Sequence, residues 1–155
     1  MNHFQLFNLP ISYPVDTKAL DSEYFALQIR YHPDKAQEDS QKLEFLKRST
    51  EINEAYKILK NDQRAASYLL KLHDIDIENE SMNYPLPPES LEQIWNDRQE
   101  LEEAEDITAF LAHKIKERKD LLAMLKDAFE KNAYDKAAIF SIRLKYLDSL
   151  ISSAR

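Results

Sequence analysis

Hydrophobic residues recur at helical spacing along most of the chain. In the N-terminal part they step by four, three and four residues, which is one stripe of an α-helix over about residues 18–31, formed by Leu20, Tyr24, Leu27 and Tyr31. A second helix is predicted over about 40–60, with a stripe of Leu43, Leu46, Ile52, Ala55 and Leu59. We expect these two helices to pack as an antiparallel hairpin, followed by a shorter helix over 63–72.

Helix-start and helix-stop residues divide this pattern. Asp16 offers an N-cap for the first helix, and Pro33 ends it because the residue before a proline is pushed out of the α region. Residues 74–88 are polar and interrupted by prolines, as a linker is. The sequence therefore predicts an N-terminal domain over 1–74, a linker over 75–88 and a C-terminal domain over 89–155.

The C-terminal domain is predicted to be a bundle of three amphipathic helices, over about 89–105, 107–129 and 133–151, joined by short connections. On the first of them, Ile94 and Leu101 lie within about 20° of each other and are expected to face the core. Leu91 and Trp95 turn some 60 to 100° away from that line. The fold class is all-α, a helical hairpin followed by a three-helix bundle.

Composition excludes several kinds of protein. The 155 residues contain no cysteine, which excludes disulfides, thiolate catalysis and cysteine-held metal centres, and no glycine, which argues against phosphate-cradling nucleotide loops. Neither a signal peptide nor a run of apolar residues long enough to span a membrane is apparent. The net charge of −7 is concentrated in residues 75–105, which carry −9. A nucleic-acid partner is therefore not expected, whereas a basic protein surface is; a solvated helix face would explain the acidity equally well.

The segment with the clearest functional meaning is LQIRYHPDKA, in which His32, Pro33 and Asp34 lie in a loop between the two hairpin helices. It resembles the J domain, whose HPD loop engages a DnaK-type chaperone and stimulates its ATPase. Two other interpretations of these residues exist. His32 could simply sit at a helix end with Asp34 as a cap, or the two could be an acid/base pair, but no nucleophile is spaced with them. An enzyme is not expected.

The resemblance extends to the HscB family of J-domain co-chaperones, which serve iron–sulfur cluster assembly. It is carried by an N-terminal run (Phe4, Leu6, Phe7, Leu9, Pro10), by Arg64, Ala65, Tyr68, Leu69 and Leu70, and by RLKYLDSL near the C-terminus. It implies that the N-terminal domain binds an HscA- or DnaK-type chaperone and that the C-terminal bundle delivers the scaffold IscU. No resident cofactor is expected, since the scaffold would supply the cluster ligands.

Two groups of site residues follow from the resemblance. The chaperone-binding group is His32, Pro33, Asp34, Lys18, Arg30, Lys35, Lys42, Lys47 and Arg48. J domains usually carry several basic residues on the helix before HPD, and this helix has only two, so docking is expected to be shared with the three basic residues of the next helix. The client-binding group is Leu91, Trp95, Gln99, Glu103 and Tyr146.

Two alternative functions remain open at this stage. One is a general J-domain co-chaperone for unfolded clients, although the glycine-rich and zinc segments of such proteins are absent. The other is an adaptor whose bundle self-associates, although a −9 stretch would repel a copy of itself. We expect a monomeric, bacterial-type protein of the cytoplasm, bound neither to membrane nor to nucleic acid.

Overall fold

The computed structural model describes residues 1–79 and 84–155. Within these ranges every regular element is helical, which confirms the all-α prediction. The α-helices are α1 (His3–Leu6), α2 (Thr17–Arg30), α3 (Asp39–Lys60), α4 (Asp62–Leu72), α5 (Pro88–Glu103), α6 (Ile107–Glu130) and α7 (Tyr134–Ala154), and a 3₁₀ turn covers Pro33–Lys35.

The chain forms two compact units, Met1–Ala65 and Ala66–Arg155, which divide inside α4. The predicted boundary lies further along, in the 75–88 linker, of which residues 80–83 fall outside the described part. The domain limits inferred from the sequence therefore stay a prediction.

In the N-terminal unit, α2 and α3 form the predicted hairpin, and α1 packs on α3. The Asp16 side chain accepts a hydrogen bond from the Ala19 N–H at 3.1 Å, so the predicted N-cap is confirmed. The helices are also joined by Asp21 on α2, which accepts hydrogen bonds from Tyr56 Oη at 2.8 Å and Lys60 Nζ at 2.9 Å on α3. The buried core of this unit contains Phe4, Phe7, Tyr13, Leu20, Ile52, Ala55, Leu59 and Ala65.

Part of the predicted α3 stripe is wrong. Ile52 is buried as expected, but Leu43 and Leu46 are exposed. The six-residue step from Leu46 to Ile52 turns the helix by about 240° beyond one full turn, so the two halves of the stripe do not share a face. In the first half of α3 the inward position belongs to Phe45, whose ring meets Tyr31 edge-on at 5.5 Å.

In the C-terminal unit, α6 and α7 pack along much of their length and α5 packs on α7, as the predicted bundle requires. Ile94 and Leu101 are only partly buried, so the expectation that they are core positions holds in part; the buried side chain of α5 is Asp97. The apolar core consists mainly of Phe110, Leu121, Leu125, Ala128, Phe129, Ala137, Ala138, Leu144, Leu147, Leu150 and Ile151.

Within residues 1–79 and 84–155 of this glycine-free chain, three positions have left-handed backbone. They are Asn8, Asp74 and Asn132, with φ of 53°, 63° and 55°, and each follows the end of a helix. Asparagine and aspartate tolerate this conformation better than other residues with a side chain, because their short polar groups can bond locally. The chain thus terminates α1, α4 and α6 in the way that glycine usually does.

Candidate functional site

The first candidate site is the HPD loop, His32–Asp34, which lies between α2 and α3 and includes the first two residues of the 3₁₀ turn. Pro33 occupies the first position of that turn, where its fixed φ fits and its missing N–H costs no hydrogen bond. The Lys35 N–H donates to the His32 carbonyl at 2.9 Å, and the Ala36 N–H donates to the Pro33 carbonyl at 3.1 Å. These bonds hold the backbone of the loop in one tight turn.

The polar side chains of the HPD loop interact with each other. The Asp34 N–H donates to His32 Nδ1 at 3.2 Å, and that nitrogen lies 3.5 Å from Asp34 Oδ2. Their side chains are 54% and 91% exposed. The loop therefore presents an imidazole and a carboxylate to solvent, and the hydrophobic core does not depend on either of them.

The basic residues predicted to accompany the loop are all exposed, on α2, the 3₁₀ turn and α3. The Arg30 guanidinium lies over the Tyr31 ring, 5.2 Å from its centroid. Lys42 Nζ lies 3.9 Å from Asp39 Oδ1, and Arg48 Nη1 lies 3.9 Å from Glu51 Oε2. Lys18, Lys35 and Lys47 complete the set.

The second candidate site is the α5 face, defined as Leu91, Trp95, Gln99 and Glu103. Leu91 and Trp95 are 56% and 64% exposed, as their angular position predicts. Glu103 is exposed and Gln99 is partly buried. The structure therefore puts two large apolar side chains in solvent on an acidic helix.

Tyr146 belongs to α7 and is exposed too. It lines a cleft of about 290 Å³ with Tyr84, Ile142 and Lys145, among others, and none of the residues of the α5 face lines this cleft. The sequence grouped Tyr146 with the α5 face, whereas the cleft gives it a different set of neighbours.

The bundle also contains a buried ion cluster that was not predicted from the sequence, formed by Asp97 on α5, Lys114 on α6 and Arg143 on α7. Lys114 Nζ lies 3.0 Å from Asp97 Oδ1 and 2.7 Å from Glu100 Oε2, and Arg143 is also paired with Asp97. Burial opposes the charged ammonium, but the hydrogen bonds to Glu100 and Asp97 outweigh it, and the pKa of Lys114 is raised. This cluster ties three helices together.

A positional signal for the cluster was present in the sequence. At about 100° per residue, Asp97 lies some 40° from Leu101 and some 60° from Ile94, on the side of α5 that faces away from Leu91 and Trp95. On α6, Lys114 follows the buried Phe110 by one turn, whereas its apolar neighbour Ile115 is exposed. A charged residue at a core position therefore marked the site.

Comparison with known proteins identifies both units. Residues 2–68 match the family model described as "DnaJ domain", and residues 86–155 match the one described as "HSCB C-terminal oligomerisation domain". The chain is 33% identical to the "Co-chaperone protein HscB homolog" of Vibrio atlanticus over 97% of its own length and 92% of that protein. The chain belongs to the HscB family of J-domain co-chaperones. This family is not catalytic, and its J domain implies an Hsp70-type chaperone as partner.

Other HscB proteins agree with this assignment. The "Co-chaperone protein HscB homolog" of Psychromonas ingrahamii is 49% identical over 50% of this chain and 47% of its own length. Chaperone HscB from Vibrio cholerae superposes with a TM-score of 0.85 at 30% identity, over 99% of this chain and 95% of that one. Human co-chaperone protein HscB superposes with a TM-score of 0.90 at 28% identity, over 99% and 80% of the two chains.

Proposed function

We propose that this HscB-family protein stimulates the ATPase of an HscA- or DnaK-type chaperone through its HPD loop while delivering an IscU-type iron–sulfur scaffold bound on its C-terminal bundle. The exposure of the side chains of the HPD loop is the observation that supports the proposed stimulation of the chaperone. The loop's imidazole and carboxylate are exposed, and the imidazole accepts a hydrogen bond from the Asp34 backbone N–H, so both side chains are available to a partner at little cost to the fold. The turn around Pro33 fixes their spacing.

The decisive experiment replaces the loop side chains one at a time. His32→Gln or Asp34→Asn should abolish stimulation of the chaperone's steady-state ATP turnover, because the partner loses the groups that it contacts. Helical circular dichroism and scaffold binding should stay unchanged. Variants that still stimulate fully would contradict the proposal, and unfolded variants would show that the loop serves the fold.

The second half of the proposal concerns the client. Apolar anchors surrounded by polar groups suit a modest protein interface, and the α5 face offers Leu91 and Trp95 beside Gln99 and Glu103. Burying each anchor contributes roughly 1.5 to 3 kcal/mol by apolar area alone. Tyr146 is proposed as an additional contact on α7.

A calorimetric titration with purified scaffold tests the client surface. Leu91→Ala combined with Trp95→Ala should weaken binding at least about tenfold, which requires only about 1.4 kcal/mol. Tyr146→Ala in a separate titration tests whether the interface reaches α7. Unchanged affinity of the double variant would show that the scaffold binds elsewhere.

The C-terminal family model's description, which names oligomerisation, supports a second candidate, self-association of the bundle. The acidity of residues 75–105 argues against a symmetric contact through α5, and we propose a monomer. Sedimentation at increasing protein concentration distinguishes the two. In the described part of the chain, no helix has the length and apolar character that crossing a membrane requires. Together with the bacterial relatives, this supports the cytoplasm as the compartment in which the protein acts.

A further inference from the structure

The end of the helical hairpin that carries the HPD loop is held together without a buried apolar core. Leu20 on α2 and Ile52, Ala55 and Leu59 on α3 are buried, and all of them lie in the half of the hairpin away from the loop. Between residues 21 and 51, which the structure describes throughout, side chains are partly buried at most. Apolar burial therefore contributes little to holding this end of α2 against α3.

The side chain of Asn53 on α3 joins the two helices at this end. Its Oδ1 accepts hydrogen bonds from Tyr24 Oη at 2.8 Å and from Gln28 Nε2 at 2.5 Å. Both donors belong to α2 and lie about one turn apart, and all three side chains are partly buried. A single carbonyl oxygen thus fixes two successive turns of α2 to α3.

Aromatic contacts flank this pair of hydrogen bonds but restrain the helices less strictly. The Tyr24 ring stacks on the Tyr56 ring with centroids 3.9 Å apart, and the Tyr31 ring meets Phe45 edge-on. Aromatic rings pack favourably over a range of offsets and angles, whereas a shared acceptor requires both donors within hydrogen-bond distance. Asn53 therefore determines how the last turns of α2 lie on α3.

The HPD loop follows these turns directly. Gln28 precedes His32 by four residues, and the 3₁₀ turn that contains the rest of the loop also contacts α3. The orientation of the loop consequently depends on how the end of α2 is seated on α3. We infer that Asn53 is a positioning residue: by holding the last turns of α2 against α3, it fixes the direction in which His32 and Asp34 are presented to the chaperone. This inference rests on the proposed function.

Amide hydrogen exchange tests the positioning directly, without the chaperone. Asn53→Leu has a similar size but no acceptor, so exchange at the Tyr31 and Lys35 amides should accelerate at least about fivefold more than at Leu20. Asn53→Asp keeps an acceptor oxygen and should stay within about twofold of the wild type. Thr50→Val is the matched control, because it removes a hydrogen bond of 2.9 Å that stays within α3, and it should also stay within about twofold.

Stimulation of a purified Hsp70-type chaperone by residues 1–155 tests what the positioning does for the loop. Asn53→Leu should lower the maximal ATP turnover at least about threefold, because fewer bound molecules present the loop correctly, and should change the half-maximal concentration less than about twofold. Asn53→Asp should restore the maximal rate. Tyr24→Phe combined with Gln28→Leu removes both donors and should reproduce the loss, with no further loss when Asn53→Leu is added.

The outcomes separate this inference from the function on which it rests. If His32→Gln leaves the maximal rate unchanged, the proposed function fails and the inference fails with it. If His32→Gln acts as expected but Asn53→Leu keeps the full maximal rate, Asn53 does not position the loop and the proposed function stands. Equal acceleration of exchange at Leu20 and Tyr31, or a loss of rate that Asn53→Asp does not restore, would also overturn the inference.

Discussion

The HPD loop and the ion cluster of the bundle bring similar chemical groups together in opposite surroundings. In the loop, His32 Nδ1 lies 3.5 Å from Asp34 Oδ2, and both side chains are mostly exposed. In the bundle, Lys114 Nζ lies 3.0 Å from Asp97 Oδ1, and the two side chains are only 2% and 9% exposed. Water solvates the first pair, so its interaction adds little to stability; the second pair has lost that solvation and depends on its partners.

The comparison indicates whether each pair is suited to binding a partner or to holding the fold together. Polar groups that remain in water can be desolvated later by a partner, which is what a recognition loop needs. Buried polar groups must be satisfied within the fold, and in this bundle they fix how α5, α6 and α7 meet. Distance between charges alone would not separate the two roles, whereas burial does.

The largest expected effect is on the free energy of unfolding, when one member of the buried cluster is removed. Asp97→Ala leaves Lys114 and Arg143 with only the partly exposed Glu117 as a shared carboxylate and should cost about 3 to 5 kcal/mol. His32→Gln should change stability by no more than about 0.5 kcal/mol. Urea denaturation followed by circular dichroism measures both.

A triple variant sharpens this first prediction. Replacing the cluster by apolar residues of similar size, Asp97→Leu with Lys114→Met and Arg143→Met, should regain most of the stability that Asp97→Ala loses, because no buried charge is left unpaired. If Asp97→Ala has no more effect than His32→Gln, the cluster is solvated and the comparison between the two regions fails.

The apolar side chains of the bundle offer the same comparison at a smaller scale. Leu144 is fully buried, and Leu144→Ala should cost about 2 to 5 kcal/mol through lost contacts and a cavity. Trp95 is exposed, and Trp95→Ala should stay within about 0.5 kcal/mol of the wild type. Leu101 is partly buried, and the stability lost in Leu101→Ala should fall between the losses in these two variants. Thermal melts of the three variants rank them, and a large loss for Trp95→Ala would make it a structural residue.

The HPD loop and the ion cluster also differ in how much of them the sequence could predict. The HPD loop is contiguous in sequence, so its residues and its position between two helices followed from the motif and from Pro33. The ion cluster is assembled from three helices, and although Asp97 stands near the core positions of α5, nothing in the sequence pairs it with Lys114 and Arg143. Their pairing depends on the register of the helices, which helical periodicity does not determine.

A related limit applies to the apolar stripes. A stripe followed over one or two turns located buried residues correctly, as for Leu20 and Ile52. Extended across the six-residue step on α3 it assigned Leu43 and Leu46 to the wrong face. Sequence periodicity also could not show that Phe25 and Ile29 are exposed, since that depends on what α2 packs against.

A kinetic effect is expected from the basic residues of α3. Reversing Lys42, Lys47 and Arg48 to glutamate should lower the association rate with the chaperone at low salt, and the loss should shrink as salt screens the field. Stopped-flow measurements at two salt concentrations test this. An unchanged rate, with Lys18 or Arg30 variants affected in its place, would move electrostatic docking to α2.

The smallest expected effect concerns acid stability of the hairpin. Hydrogen bonds from Lys60 and then Tyr56 hold the pKa of the Asp21 carboxyl below its ordinary value of 3.8. As the pH falls, the Asp21 carboxyl of the unfolded chain therefore binds its proton at a higher pH than that of the folded chain. The contribution of Asp21 to the free energy of unfolding is complete above pH 3.8 and disappears as the pH falls through the lower pKa of the folded state. Because Asp21 is solvent-accessible, the effect should be small. The difference in urea midpoint between the wild type and Asp21→Asn measures it; that difference should decrease in acid, and a difference independent of pH would show that Asp21 contributes through hydrogen bonding alone.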